Sequence, residues 1–266
     1  MELQGAHALV TGASKGIGAA ISRALTEAGA TVSLVARSGD LLEPLAKELD
    51  GHYLAADLTD DGHLAGLVER VEGQAGRPVD VLVNNAGVEV GSLLEEMEEA
   101  EIARVISLDL TVPLRLTRQV LPGMIERERG HIVQISSAAG VMPVGGLMAY
   151  SGAKAGLTHA TRSLRQELRG TPVSLTTATL GPIDTSMWDR VTDNPPFERV
   201  ANRLDRLQLI PKVAPETVAD DVVSAIENGR RYIRHPKRAT ALFAMAEAPG
   251  RITDAFLAGL KPRNAR

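Results

Sequence analysis

Three glycines, Gly12, Gly16 and Gly18, stand between a short apolar run (His7 to Val10) and a stretch of helical periodicity at Ile21, Ala24, Leu25 and Ala28 that Gly29 stops. A strand, a tight glycine turn and a helix opening, in that order, leave few folds open. They also make a phosphate-binding element. Glycine permits the turn and a close approach of the backbone, and a helix N-terminus offers free N–H groups and a positive dipole end to an anion. The spacing Gly12-Ala-Ser-Lys-Gly16-Ile-Gly18 is G-x-x-x-G-x-G, whereas the standard dinucleotide fingerprint is G-x-G-x-x-G. A plain glycine-rich turn explains the glycines alone; the strand before and the helix after favour the phosphate site.

The rest of the chain repeats the alternation. Apolar runs at Thr31 to Ala36, His52 to Ala56, Val79 to Val83 and His131 to Ile135 read as strands, with a sixth before Leu180 and a last at Arg231 to Arg234. Helical patterns fall between them, at Leu41 to Leu49, Asp60 to Gln74, Glu99 to Arg127, Ala149 to Leu168 and Glu216 to Asn228. Strands alternating with amphipathic helices mark an α/β doubly wound parallel sheet, here of seven strands with helices on both faces, whose ligands bind at the carboxyl ends of the strands. Asp57 and the turn Asn84-Asn85-Ala86-Gly87 fall at such ends, though a turn alone also explains the latter. The second strand ends in Ala36-Arg37-Ser38 with no acid to take a ribose 2′-hydroxyl, and Lys15 sits in the glycine loop. Two cations and no carboxylate favour NADP(H) over NAD(H); each cation is also accounted for as a solvated surface charge.

Composition closes off other classes. A net charge of −4 gives no basic footprint for nucleic acid, and the absence of cysteine excludes disulfides and thiolate metal sites; no metal is expected. No apolar run approaches the ~20 residues of a membrane helix. The first residues carry no signal-peptide pattern, so a single-domain cytoplasmic protein is the expectation.

Tyr150 and Lys154, four positions apart on the helix after the fifth strand, project from one face. An ammonium beside a phenol favours the phenolate, lowering the tyrosine's pKa from about 10 toward working pH, which suits proton exchange with a carbonyl or alcohol oxygen. The pair alone fits any solvated helix. Its convergence with Ser137 on the edge that carries the glycine loop gives it meaning.

In order and spacing, Thr11 to Gly18, Asp57, Asn84 to Gly87, Ser137 and Tyr150-x-x-x-Lys154 resemble the short-chain dehydrogenase/reductase family, its single-domain Rossmann-fold group, over roughly residues 5–185. The resemblance implies Tyr150 as proton donor or acceptor, Lys154 as its tuner and holder of the nicotinamide ribose, and Ser137 as the hydrogen-bonding partner of the substrate oxygen, with Ser136 supporting the strand end. It implies that Gly12, Ser14, Gly16, Ile17 and Gly18 cradle the cofactor. Asp57 and Leu58 would meet its adenine, Asn84, Ala86 and Gly87 would stand beside it, Lys15 and Arg37 would mark NADP(H), and Gly181, Ile183 and Thr185 would reach its carboxamide and pyrophosphate. A homodimer or homotetramer through the two long helices follows by the same resemblance.

Two positions depart from the family's pattern. Asp109 stands where a catalytic asparagine is usual, so a carboxylate near Lys154 would stabilise the ammonium and partly neutralise its effect on Tyr150; a one-turn misalignment would leave Asp109 an ordinary helix-face charge. Leu180 replaces the proline that usually precedes Gly181. Beyond the sixth strand, periodicity fades between 184 and 214, a segment holding Met187, Trp188, Pro195, Pro196 and Phe197 in a chain with one Trp, three Tyr and three Phe. As a lid, with Met187 and Trp188 on the substrate, it would favour an apolar small molecule; equally, these residues pack the segment down. The extension 235–266 mixes basic residues with Leu242, Phe243, Met245 and Ile252, and Ala248-Pro249-Gly250 should break it into two helices. It would cover a pocket or dock on a sister subunit, in preference to a membrane surface. The expectation is an NADP(H)-dependent oxidoreductase acting on an apolar carbonyl or secondary alcohol; the alternative is a non-catalytic NADP(H)-binding sensor of the same fold.

Overall fold

A computed structural model describes residues 1–142, 144–185 and 211–246. Seven strands, β1 (His7–Thr11), β2 (Thr31–Ala36), β3 (His52–Ala55), β4 (Val81–Asn84), β5 (His131–Ser137), β6 (Ser174–Leu180) and β7 (Tyr232–His235), form one sheet of order β3-β2-β1-β4-β5-β6-β7. Every pairing is parallel. Period-2 alternation within β1 explains the two layers around it. Ala8 and Val10 enter one core with Ile21 and Leu25 of α1 (Gly16–Glu27), Leu42 and Leu45 of α2 (Gly39–Glu48) and Val218, Val222 and Ile226 of the helix Pro215–Glu227. Leu9, between them, enters the opposite core with Leu64 of α3 (Asp61–Leu64), Leu67 and Val71 of α4 (Leu67–Ala75) and helix residues Leu116, Val120 and Met124. The strand order reverses between β1 and β4, and a crevice opens there outside the carboxyl ends.

Two helices differ from the sequence reading. The span from Asp60 to Gln74 is two pieces, because Ala65 is extended and Gly66 adopts a left-handed φ of 60°; Arg70 holds the break by donating to the Ala65 carbonyl at 2.7 Å. The span from Glu99 to Arg127 is α5 (Glu99–Ile106), a π-helical turn (Ser107–Thr111) and α6 (Val112–Glu126). Pro113 has no N–H to give Asp109 and its ring crowds that carbonyl, so the helix widens and Val112 donates to Ser107 instead. The reaction-bearing helix α7 (Met148–Glu167) follows β5, and α8 (Pro215–Glu227) precedes β7. After β7, α9 (Thr240–Ala246) buries Phe243 against Ala138, Val141 and Met142, behind the turn that leaves β5. The extension therefore covers that turn as far as residue 246. No described helix is long and apolar enough to cross a membrane.

Candidate active site

A cleft of about 600 Å³ opens at the reversal of strand order. Its floor is the loop after β1. Gly12, at φ 65°, could carry no side chain, since a Cβ would lie 2.8 Å from the Cα of Ala86. Gly18 is tighter still: its Cβ would lie 2.3 Å from the Gly12 carbonyl oxygen. The loop is also tied down. Gly12 donates to the Val35 carbonyl at 2.7 Å, the Thr11 hydroxyl accepts from the N–H groups of Asn85 and Ala86 at 3.0 Å each, and the Asn85 amide donates to the carbonyls of Thr11 and Gly12. No side chain caps α1 and no acid sits in its first turn, so its N–H groups face the cleft without competition. This is a cradle that fits a pyrophosphate.

Around it stand Ser14, Lys15, Gly16, Ile17, Arg37, Asp57, Leu58, Ala86, Gly87, Gly181, Ile183 and Thr185, all on the cleft wall. Asp57 accepts from the N–H and hydroxyl of Thr59 at 2.9 and 2.7 Å, and these bonds, with Arg37 and Arg104 nearby, hold its carboxyl below the usual range. Two of the residues expected at the cofactor lie behind the wall instead. Gly18 supports the loop from within, and Asn84 is buried, its amide turned to the Pro113 carbonyl and the Thr117 hydroxyl in α6. Asn85, its neighbour, faces the cleft. Met187, Trp188 and most of the 184–214 segment lie outside the described residues; the ends of that segment meet where Asp184 donates to Val213 at 3.0 Å and Val213 to Pro182 at 3.1 Å.

Ser137, Tyr150, Lys154 and Asp109 come together on one side of the cleft. Ser137 ends β5, and its Oγ accepts from the Ala139 N–H at 3.1 Å, leaving the hydroxyl proton available to another oxygen. Ser136, the other member of the pair, points away and bonds to Thr158 at 2.7 Å and to the Lys154 carbonyl at 3.3 Å, which supports the strand end. Lys154 donates to the Ile135 carbonyl at 2.9 Å, and its Nζ lies 5.7 Å from the centre of the Tyr150 ring. Asp109 is no solvated helix charge. It is wholly buried, Oδ2 accepts from the Val88 N–H at 3.0 Å, and Oδ1 lies 3.0 Å from Lys154 Nζ. Gly87 makes room for this pair: a Cβ there would lie 2.5 Å from Asp109 Oδ1.

Lys154 alone predicts a phenol drawn below its usual range. The surroundings reverse the sign: burial, then the charges of Glu89 and Asp109, push the Tyr150 phenol well up, while a hydrogen bond with Ser137 pulls it back. Burial raises the Asp109 carboxyl too, opposed by Lys154 and the Val88 N–H. Glu89, on the cleft wall two residues past Gly87, escaped the sequence reading, as did Arg104 and the apolar Ala138, Ala139, Met142, Val144 and Leu147. No spacing marks Glu89. Only its place on the loop after β4 brings it to the tyrosine.

The profile described as short chain dehydrogenase matches residues 6–196. The chain belongs to that family. The ketoacyl reductase HetN of Nostoc is 37% identical over 231 residues, covering 85% of this chain and 77% of that protein. The 3-oxoacyl-[acyl-carrier-protein] reductase FabG of Pseudomonas aeruginosa is 38% identical over 192 residues, covering 70% of this chain and 77% of its own. Among solved structures, a single-substitution variant of the actinorhodin polyketide ketoreductase with NADPH superposes at a TM-score of 0.79, with 31% identity over 87% of this chain and 95% of that one. As a short chain dehydrogenase, the protein is an oxidoreductase whose chemistry lies between a carbonyl and an alcohol.

Proposed function

We propose that this chain is an NADP(H)-dependent carbonyl reductase acting on ketones of apolar, acyl-like character. The observation that carries the reading is the meeting of Ser137, Tyr150 and Lys154 on one wall of a cleft whose other end is the glycine cradle. Lys15 and Arg37, exposed at the cleft's edge, would hold a 2′-phosphate, and no carboxylate stands at the end of β2 to hold a 2′-hydroxyl. Gly12, Gly16 and the first turn of α1 would hold the pyrophosphate, and Asp57 and Leu58 would flank the adenine. The bound nicotinamide supplies the hydride.

What the chain itself does is position and protonate. Ser137, held by the Ala139 N–H and placed beside the Tyr150 hydroxyl, would hydrogen-bond the substrate oxygen. Tyr150 gives the proton that turns the reduced oxygen into a hydroxyl, a step worth about 10²–10⁴-fold when so positioned. Ala138, Ala139, Met142, Val144 and Leu147 line that end of the cleft with apolar surface, which suits an acyl chain and excludes water. The relatives are named as ketoacyl, 3-oxoacyl and polyketide ketoreductases, which supports the same substrate class.

The test is NADPH consumption, followed by absorbance, against neutral ketones, β-ketoesters and 3-oxoacyl thioesters. Turnover on at least one class is expected. Tight NADPH binding without turnover of any carbonyl, and without oxidation of any alcohol by NADP, would replace this reading with that of a nucleotide-binding sensor.

A further inference from the structure

The charges around Tyr150 bear on how it holds the proton that reduction requires. Among the described residues Lys154 is the cation nearest the ring, and it is committed twice, to the Ile135 carbonyl and to Asp109. Both members of that pair are out of solvent, with 5% of the lysine side chain and none of the aspartate exposed. Whether the proton between them rests on nitrogen or on oxygen, the net charge of the pair is zero. Tyr150 therefore has a neutral pair where a lone lysine would offer it a positive charge. Among the described residues, the other elements packed on the tyrosine add no cation against its ring. Helix α5 presents Ile102, Val105 and Ile106; of its charged residues Glu99, Glu101 and Arg104, Arg104 lines the cleft. The end of β5 and the turn after it bring Ser137, Ala138 and Ala139, and the loop after β4 brings Glu89.

We propose that Asp109 and Glu89 are positioning residues that hold Tyr150 as the proton-bearing phenol, so that near neutral pH the site works as a proton donor for carbonyl reduction. The proposal rests on the reductase reading and deepens it. Reduction needs the phenol and oxidation needs the phenolate, so an electrostatic bias toward the phenol reserves alcohol oxidation for alkaline solution. The overall equilibrium is untouched. Asp109 acts by cancelling Lys154, and the room for it comes from Gly87 and from the widened turn at Pro113. Glu89 adds a negative charge on the wall of the same cleft.

The deciding experiment does not depend on turnover. The chain has three tyrosines, Tyr53, Tyr150 and Tyr232. In the full-length Tyr53→Phe/Tyr232→Phe protein, tyrosinate absorbance after a rapid pH jump reports Tyr150 alone. The parent should titrate above the ordinary phenol value of about 10. Asp109→Asn, which keeps an oxygen for the Val88 N–H, and Glu89→Gln should each bring the midpoint down, giving about tenfold more phenolate at a given pH for each unit moved. A parent midpoint at or below about 10, or a midpoint unmoved by both substitutions, overturns the proposal. Should Asp109→Asn fail to fold, Asp109→Ser and Glu89→Gln decide. In turnover, Asp109→Asn should move the alkaline limb of kcat for alcohol oxidation toward neutrality, by about tenfold in rate on that limb for each unit the midpoint moves. Lowered midpoints in a protein that turns over no carbonyl would sustain the charge arrangement and remove the reductase reading. Turnover with unmoved midpoints would do the reverse.

Discussion

Gly18 touches nothing in the cleft, yet the cradle depends on it. A methyl group there would meet the Gly12 carbonyl oxygen at 2.3 Å, and a backbone atom cannot swing aside as a side chain can. Gly18→Ala should therefore lose about 1–3 kcal/mol of stability in urea unfolding and weaken NADPH binding measured by fluorescence, although the new methyl lies outside the binding surface. Retained stability together with wild-type binding would show that the loop relaxes freely. Much at this scale is legible in sequence: Tyr150 and Lys154 share a helix face by spacing alone, and Ser137 reaches them because a parallel sheet gathers its carboxyl ends. Asn84 and Asn85 are not separable that way. They sit side by side in one turn, and only the twist of the chain leaving β4 sends one amide into α6 and the other to the loop after β1. Glu89 is invisible for the same reason, and so is the sign of its effect on Tyr150.

At the scale of elements, the π turn and the C-terminal helix do the positioning. The turn exists because Pro113 interrupts a helix that periodicity alone presents as continuous, and it carries Asp109 inward. Proline and glycine are visible in sequence; that a helix widens at Pro113 but breaks at Gly66 depends on what packs beside each. Helix α9 seats Phe243, fully buried, on Ala138 and Met142, residues of the turn that follows Ser137. Phe243→Ala should open a cavity and cost about 3–5 kcal/mol if the helix stays docked, or less if it undocks. Hydrogen exchange should then rise across 138–142, and KM for the carbonyl should rise more than kcat falls, because Met142 lines the cleft and Tyr150 does not move. Unchanged exchange in that turn would mean α9 carries no positioning role.

Across the whole molecule, the order β3-β2-β1-β4-β5-β6-β7 places every reactive side chain at one edge of the sheet, while buried polar groups at the other edge set its response to acid. His131 donates from Nε2 to the Thr176 hydroxyl at 2.8 Å, since that hydroxyl gives its own proton to the Arg230 carbonyl. Burial, with the N-terminal ammonium and Arg165, lowers its pKa from 6.5 to about 3, and burial lowers that of His7 as well. His131 is neutral in the folded state from neutral pH down to mild acid, so the unfolded chain binds more protons there. Stability from His131 is thus complete above about pH 6.5 and is lost as the pH falls toward about 3. At pH 5 the loss is about 2 kcal/mol, and urea titrations at pH 7.5 and 5 should differ less in His131→Gln than in the wild type. An equal difference in both would contradict the assignment. Whether Tyr150 delivers the proton of a carbonyl reduction is decided by kcat on a reducible ketone for the wild type and Tyr150→Phe, with NADPH binding measured on the same samples. Loss of the phenol should lower kcat at least about 10²-fold with NADPH affinity within a few-fold of wild type. A Tyr150→Phe enzyme that keeps more than a tenth of wild-type kcat would contradict it.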